Sequence, residues 1–225
     1  MRQSGMEFIF MLTRQDRTVP DCLAILDEIA NLGLRHIGFK DIGVEEDTLR
    51  LLHARIKELG ATSYLEVVAT SAAAALQSAR IGLGLGVDRL LGGTQVVETL
   101  DILAGSKVEY YPFPGTPFGH PTQLGGGAME VEAHCAAFAA LGCAGADLLA
   151  YRAVEADPLA LVRAARSGLK CKTLICAGGV DSPIRIAALR EAGADGFTVG
   201  TAAFDGVFAP GEPLTAQLQM ILSCA

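Results

Sequence analysis

No apolar run in this 225-residue chain approaches the roughly 18 residues needed to span a bilayer, although 51% of its residues are hydrophobic. An excess of positive charge is missing too. The 18 Lys and Arg are outnumbered by 25 Asp and Glu, for a formal net charge of −7. That balance argues against a nucleic-acid partner and against an anionic membrane surface, because a polyanion would be repelled. The six cysteines, Cys22, Cys135, Cys143, Cys171, Cys176 and Cys224, include no Cys-x-x-Cys pair. They read as reduced, mostly buried thiols of a cytoplasmic protein and not as a disulfide framework. The opening MRQSGMEFIF lacks a long apolar segment followed by a small-residue cleavage site and reads as a mature N-terminus. No linker or domain boundary interrupts the chain, so the expectation is one domain over 1–225.

What is present is an alternation of short β-like runs and helical patterns from end to end. Apolar spacing predicts strands over 8–12, 36–40, 63–68, 89–91, 108–111, 148–151, 172–177 and 196–199, with helical periodicity between them. Several helical segments stop at a glycine just before the next strand: Gly33, Gly60, Gly142 and Gly193. Glycine past a helix end accepts the left-handed backbone that other residues resist. Eight β/α units close naturally as a (β/α)8 barrel of the TIM type. An open doubly wound sheet is the alternative. Against it, the first strand runs into Thr13-Arg14-Gln15-Asp16 and not into a Gly-x-Gly-x-x-Gly turn. One long loop, 112–127, reads PFPGTPFGHPTQLGGG; loops of this length in a compact domain are often lids or binding loops.

The most specific stretch is LICAGGVDSPIRIAALREAGADGFTVGTAAF, residues 174–204. Gly178-Gly179 at a strand end, Gly193-Ala194-Asp195 after a helix, and Val199-Gly200-Thr201-Ala202 at the next strand end resemble the ribulose-phosphate-binding barrels. That superfamily includes the histidine- and tryptophan-pathway isomerases and several sugar-phosphate epimerases and decarboxylases. The resemblance implies phosphate-binding loops after strands seven and eight, built from Gly178, Gly179, Gly200 and Thr201. It also makes homo-oligomerisation plausible. The chemistry agrees: a phosphate needs several N–H donors converging on one point, and glycine removes the Cβ that would block the approach.

In a barrel the chemistry sits where strands end at the C-terminal mouth. Alternation places Ile37 and Phe39 toward the helices and Gly38 and Lys40 inward. By the same rule Leu65 and Val67 face out, and Tyr64, Glu66 and Val68 face in. Lys40 and Glu66 are then inward neighbours, a pair suited to proton transfer or, for the lysine, to a Schiff base. Asp41 is a weaker catalytic candidate because its parity turns it away from Lys40. Arg14, Thr94, His120, Tyr151 and Arg152 are the candidate substrate contacts. No two histidines lie at strand ends and Asp41 with Glu66 do not make a metal site, so no metal and no cofactor is expected.

Departures from the superfamily's better-known branches are specific. Lys40 and Glu66 stand where pentose-phosphate epimerases place metal-binding His and Asp. The third strand reads Tyr64-Leu65-Glu66-Val67-Val68 and not Asp-x-Lys-x-x-Asp, the decarboxylase run. The ends of strands one and five carry Thr13 or Arg14 and Tyr111 where the histidine-pathway isomerase has aspartates. The runs GFKDIG, YLEVV, LLGGT and LLAYRA mark a group of its own. The expectation is an enzyme acting on a small phosphorylated sugar-like metabolite by isomerase, epimerase or lyase chemistry. The alternatives are a non-catalytic phosphometabolite-binding protein and a barrel oxidoreductase whose flavin phosphate occupies the same loops.

Overall fold

The structure, a computed structural model, describes residues 5–69 and 71–225. Eight parallel strands form one sheet: β1 (Glu7–Met11), β2 (His36–Lys40), β3 (Thr62–Val67), β4 (Arg89–Gly92), β5 (Glu109–Tyr111), β6 (Gly145–Leu148), β7 (Thr173–Cys176) and β8 (Gly196–Val199). The hydrogen-bonded order is β6-β7-β8-β1-β2-β3-β4-β5. The two outer strands are brought together by Ala144 N donating to Tyr110 O and Asp147 N donating to Pro112 O, both at 3.0 Å. The result is a nearly closed parallel barrel.

Helices α1 (Cys22–Ile29), α2 (Glu46–Glu58), α3 (Ala72–Leu85), α4 (Val96–Leu103), α5 (Ala128–Leu141), α6 (Pro158–Leu169) and α7 (Pro183–Ala192) alternate with the strands. A short α8 (Thr201–Phe204) and the C-terminal α9 (Leu214–Cys224) follow β8. Helices α6 and α7 start on local signals. The side chains of Asp157 and Ser182 accept hydrogen bonds from the first-turn N–H groups of Ala160 and Arg185, and proline occupies the first helical position of each. The predicted glycine stops hold: Gly33, Gly60, Gly142 and Gly193 all take positive φ.

Strand parity holds as well. Ile37, Phe39, Leu65 and Val67 belong to the large core between sheet and helices. Tyr64 belongs to a separate cluster with Ile9, Met11, Leu91, Tyr111 and Ile175 that fills the barrel interior. The N-terminal end of the barrel is closed by Arg89, which donates to Glu7 at 2.8 Å, Glu109 at 2.9 Å and the Tyr64 hydroxyl at 2.6 Å. Its guanidinium also lies 5.3 Å from the Tyr64 ring centre and 5.6 Å from that of Tyr111. That leaves the C-terminal end as the open one.

Two expectations are corrected. The sixth strand is Gly145–Leu148 and not 148–151; Ala150–Arg152 form a turn of 3-10 helix instead. The apolar run LLAY imitates a strand, but backbone pairing with β7 starts at Gly145. The first helix is also shorter than the predicted 19–32. A small antiparallel hairpin, Thr13–Arg14 with Arg17–Thr18, precedes it, and Ala30–Leu32 close it as 3-10. The long excursion after β5 carries a second hairpin, Thr116–Phe118 with Gln123–Gly125.

Candidate functional site

Both hairpins fold over the open end of the barrel. The first is anchored on β2: Thr18 Oγ1 donates to Lys40 O at 2.6 Å and accepts from Lys40 N at 2.9 Å. Thr18 N donates to Ile42 O at 2.8 Å. This approach requires glycine at Gly43, where a Cβ would meet Thr18 O at 2.2 Å on a backbone of φ +113°. The tip of the hairpin, Gln15-Asp16, has positive φ at both residues, 50° and 61°. Two-residue hairpin turns of this kind normally carry Asn-Gly or Asp-Gly. Left-handed backbone costs a non-glycine residue roughly 1–2 kcal/mol, and the cost is offset by what Asp16 contacts.

The Asp16 carboxylate is buried. It accepts from Lys40 Nζ at 2.8 Å, from Arg152 Nη1 and Nη2 at 2.7 and 2.8 Å, and from Thr122 N on the second hairpin at 3.0 Å. Arg152 also donates to Thr122 O at 3.0 Å. Lys40 Nζ lies 3.3 Å from Glu66 Oε2, and its side chain is only 4% exposed. Burial raises the Asp16 pKa, but hydrogen bonds from Arg152 and the charges of Lys40 and Arg152 outweigh it and hold this carboxyl well below the usual range. The mouth thus carries two cations and two carboxylates in one connected cluster.

A fifth ionisable group lies just inside. Asp147, on β6, pairs in register with the interior residue Ile175 and is fully buried. Among the described residues neither of its carboxylate oxygens has a hydrogen-bond partner. Burial, then repulsion from Glu66, pushes its pKa well up, against the opposing pull of Lys40 and Arg152.

The four groups of the cluster, without Asp147, border a cavity of about 390 Å³, within the size range of small-molecule sites. Lys40, Glu66, Asp16, Arg152 and Thr198 line it, and so do Gly178, Gly179, Gly200 and Thr201. The turns after β7 and β8 therefore face one space, which they share with the Lys40–Glu66 pair. Gly178 and Gly179 both have φ +71°. A Cβ on Gly178 would meet Arg152 Nε at 2.2 Å, and one on Gly179 would meet Tyr151 Cβ at 2.8 Å. The space these glycines leave open is thus filled by the chain after β6, a role that the sequence reading, which reserved it for a ligand, does not foresee. Gly178→Ala is expected to lower Tm by roughly 2–8 °C, from about 1–2 kcal/mol of left-handed strain, and to displace Arg152. Thermal denaturation checks this; an unchanged Tm would mean that the turn does not require glycine at 178.

Of the residues expected from sequence, the cavity gathers Lys40, Glu66, Arg152, Gly178, Gly179, Gly200 and Thr201. The remaining five lie elsewhere. Asp41 points outward to the Ser78 hydroxyl on α3, as parity implies. Arg14 is exposed and pairs with Asp205 at 2.6 Å. Thr94 is exposed beside a small separate pocket lined by Phe113 and Phe118. His120 is exposed at the tip of the second hairpin, where its neighbour Pro121 reaches the cavity instead. Tyr151 is turned away to stack under Arg185, 4.6 Å from guanidinium to ring centre. Asp16 and Asp147 are the residues that the sequence reading misses.

Among the described residues no group of three or more His, Cys, Asp and Glu is placed to hold a metal ion, and no helix is long and apolar enough to cross a membrane.

No family model and no curated protein matches the chain. Solved structures do. A 3-hexulose-6-phosphate synthase is similar at TM-score 0.65 and 15% identity, over 97% of this chain and 99% of that one. A native KDPGal structure is similar at TM-score 0.64 and 15% identity, over 99% and 97%. A thiamine phosphate pyrophosphorylase from Pyrococcus furiosus is similar at TM-score 0.61 and 11% identity, over 96% and 95%. At these identities the likeness shows the fold, a parallel β/α barrel shared with these structures.

Proposed function

We propose that this protein is an enzyme acting on a small phosphorylated sugar-like metabolite, with proton transfer at a carbon next to a carbonyl as its chemistry. The observation that carries the reading is the shared cavity: the glycine turns after β7 and β8 line the same space as the Lys40–Glu66 pair. A phosphate would sit against the N–H groups of Gly179, Thr201 and Ala202. The last two open α8 and have no acceptor within their own helix. The sugar carbons would extend from there toward Lys40 and Glu66. In that pose Glu66 takes a proton from carbon, and the Lys40 ammonium stabilises the negative charge that develops on the carbonyl oxygen. Fold neighbours that include a 3-hexulose-6-phosphate synthase and a thiamine phosphate pyrophosphorylase are in keeping with a phosphorylated substrate.

Proton transfer is favoured over a Schiff base by the surroundings of Lys40. Its Nζ stands between Asp16 at 2.8 Å and Glu66 at 3.3 Å, and both contacts would have to give way before the nitrogen could bond to a carbonyl carbon. Borohydride with substrate is accordingly expected to leave no covalent adduct.

The test is a thermal-shift panel of phosphorylated sugars against their dephosphorylated counterparts, followed by turnover assays on every stabilising compound. A ligand at a hundred times its Kd is expected to stabilise by about 2.7 kcal/mol, or roughly 5–11 °C at this size. Dephosphorylated sugars should give no shift. Equal shifts from both sets would overturn the phosphate assignment. Full turnover retained by both Lys40→Ala and Glu66→Gln would overturn the catalytic one.

A further inference from the structure

The Asp16–Lys40–Glu66–Arg152 cluster is already balanced, two carboxylates against two cations, all in direct ion-pair contact. Asp147 is an additional carboxyl with no cation of its own. It faces inward from β6, it is fully buried, and both its oxygens lack partners among the described residues. An unpaired buried carboxylate is among the costliest groups a protein can hold, and such a group neutralises itself by keeping its proton. We infer that Asp147 holds a proton beneath the Lys40–Glu66 pair and that this proton keeps the mouth charge-balanced for an anionic substrate. Its functional use rests on the phosphosugar reading above; its protonation does not.

The groups that face Asp147 from the neighbouring elements are consistent with this. Glu66 on β3 repels its charged form, while Lys40 on β2 and Arg152 after β6 attract it. Those two cations are already engaged by Asp16 and Glu66. Tyr111 on β5 turns its hydroxyl away to Glu109 at 2.8 Å. Cys176 on β7 is buried with a thiol pushed up by burial, so it adds no charge. Asp147 does not line the cavity and therefore acts through its neighbours as a positioning residue. Neutral, it leaves the cluster at zero net charge. Ionised, it would add one negative charge behind the site that is to receive a phosphate dianion. Loss of its proton to solvent as pH rises would then weaken anion binding without moving any ligand-contacting group.

Two measurements on the whole protein test this. In the first, the aspartate carboxyl carbons are isotope-labelled and followed by NMR through a pH titration with no ligand, Asp147→Asn identifying the signal. Asp147 is expected to remain protonated at neutral pH, and its midpoint is expected to fall in Glu66→Gln, where the repulsion is gone. An ionised Asp147 at neutral pH, or a midpoint unmoved by Glu66→Gln, would overturn the inference. In the second, the affinity for sulfate, whose own charge is constant, is followed from neutral to alkaline pH. The wild type is expected to weaken several-fold more than Asp147→Asn over that range, and parallel curves would overturn the gating role. If Asp147→Asn does not fold, the signal is assigned through its bonded backbone nuclei in the wild type, and the wild type with Glu66→Gln still decides the first measurement. Absence of sulfate binding at every pH, with Asp147 protonated, would count against the phosphate site and not against the protonation.

Discussion

Replacing Lys40 with Met is expected to lower turnover on the cognate substrate by roughly 10²–10³-fold, the span of a lost oxyanion-stabilising group. Lys40 touches both Asp16 and Glu66. Methionine matches its length but leaves the two buried carboxylates without their shared cation. Breaking a buried ion pair by removing one partner costs about 3–5 kcal/mol, so Tm is expected to drop by roughly 6–20 °C as well. The activity loss must exceed what partial unfolding explains. Assays well below the variant's Tm, with the folded fraction measured by circular dichroism, separate the two. Near wild-type turnover in the folded variant would remove Lys40 from the chemistry.

The second large effect belongs to Asp16. Asp16→Asn keeps the shape but not the charge that receives Lys40 and the bidentate Arg152. A loss of about 3 kcal/mol at neutral pH is expected, or roughly 6–12 °C. The pH dependence identifies the cause. The carboxyl lies below its unfolded value of about 3.9, because Arg152 and Lys40 outweigh the effect of burial. Its contribution is therefore complete above that value and is lost as pH falls through the window beneath it. Wild type and Asp16→Asn should differ most at neutral pH and converge in acid. A constant gap between their denaturation curves down to the acid limit would show that packing, and not charge, is what the substitution removed.

Much of this was legible in the residues, because two local rules carried it. Alternation along β2 and β3 was enough to turn Lys40 and Glu66 inward, and their backbone register confirms it. Glycine stops mark where helices end, and the paired turns at 178–179 and 200–201 mark two loops that line one cavity. Asp147 was missed for a reason internal to the sequence. Each of the other marked strands begins two or three residues after its helix-ending glycine: His36 after Gly33, Thr62 after Gly60, Gly196 after Gly193. The same spacing after Gly142 starts β6 at Gly145 and turns Asp147 inward. The apolar run LLAY pulled the prediction three residues too far.

Asp16 was missed because its hairpin hides its signature. Gln15-Asp16 occupies a two-residue turn that normally announces itself with Asn-Gly. The turn is held by contacts distant in sequence, from Lys40, Thr122 and Arg152, and no local pattern encodes those. The same holds for Arg14, Thr94, His120 and Tyr151. Arg14, Thr94 and Tyr151 lie near a strand end by count and His120 lies in the long loop, but whether a loop side chain turns into the mouth depends on packing between loops.

The most direct measurement is an amide NMR titration of the isotope-labelled protein with inorganic phosphate. The account predicts that the N–H signals of Gly179, Thr201 and Ala202 shift together and saturate with a single dissociation constant, while those of the Arg89 end of the barrel stay still. Shifts scattered over the surface, or none at the two glycine turns, would contradict it.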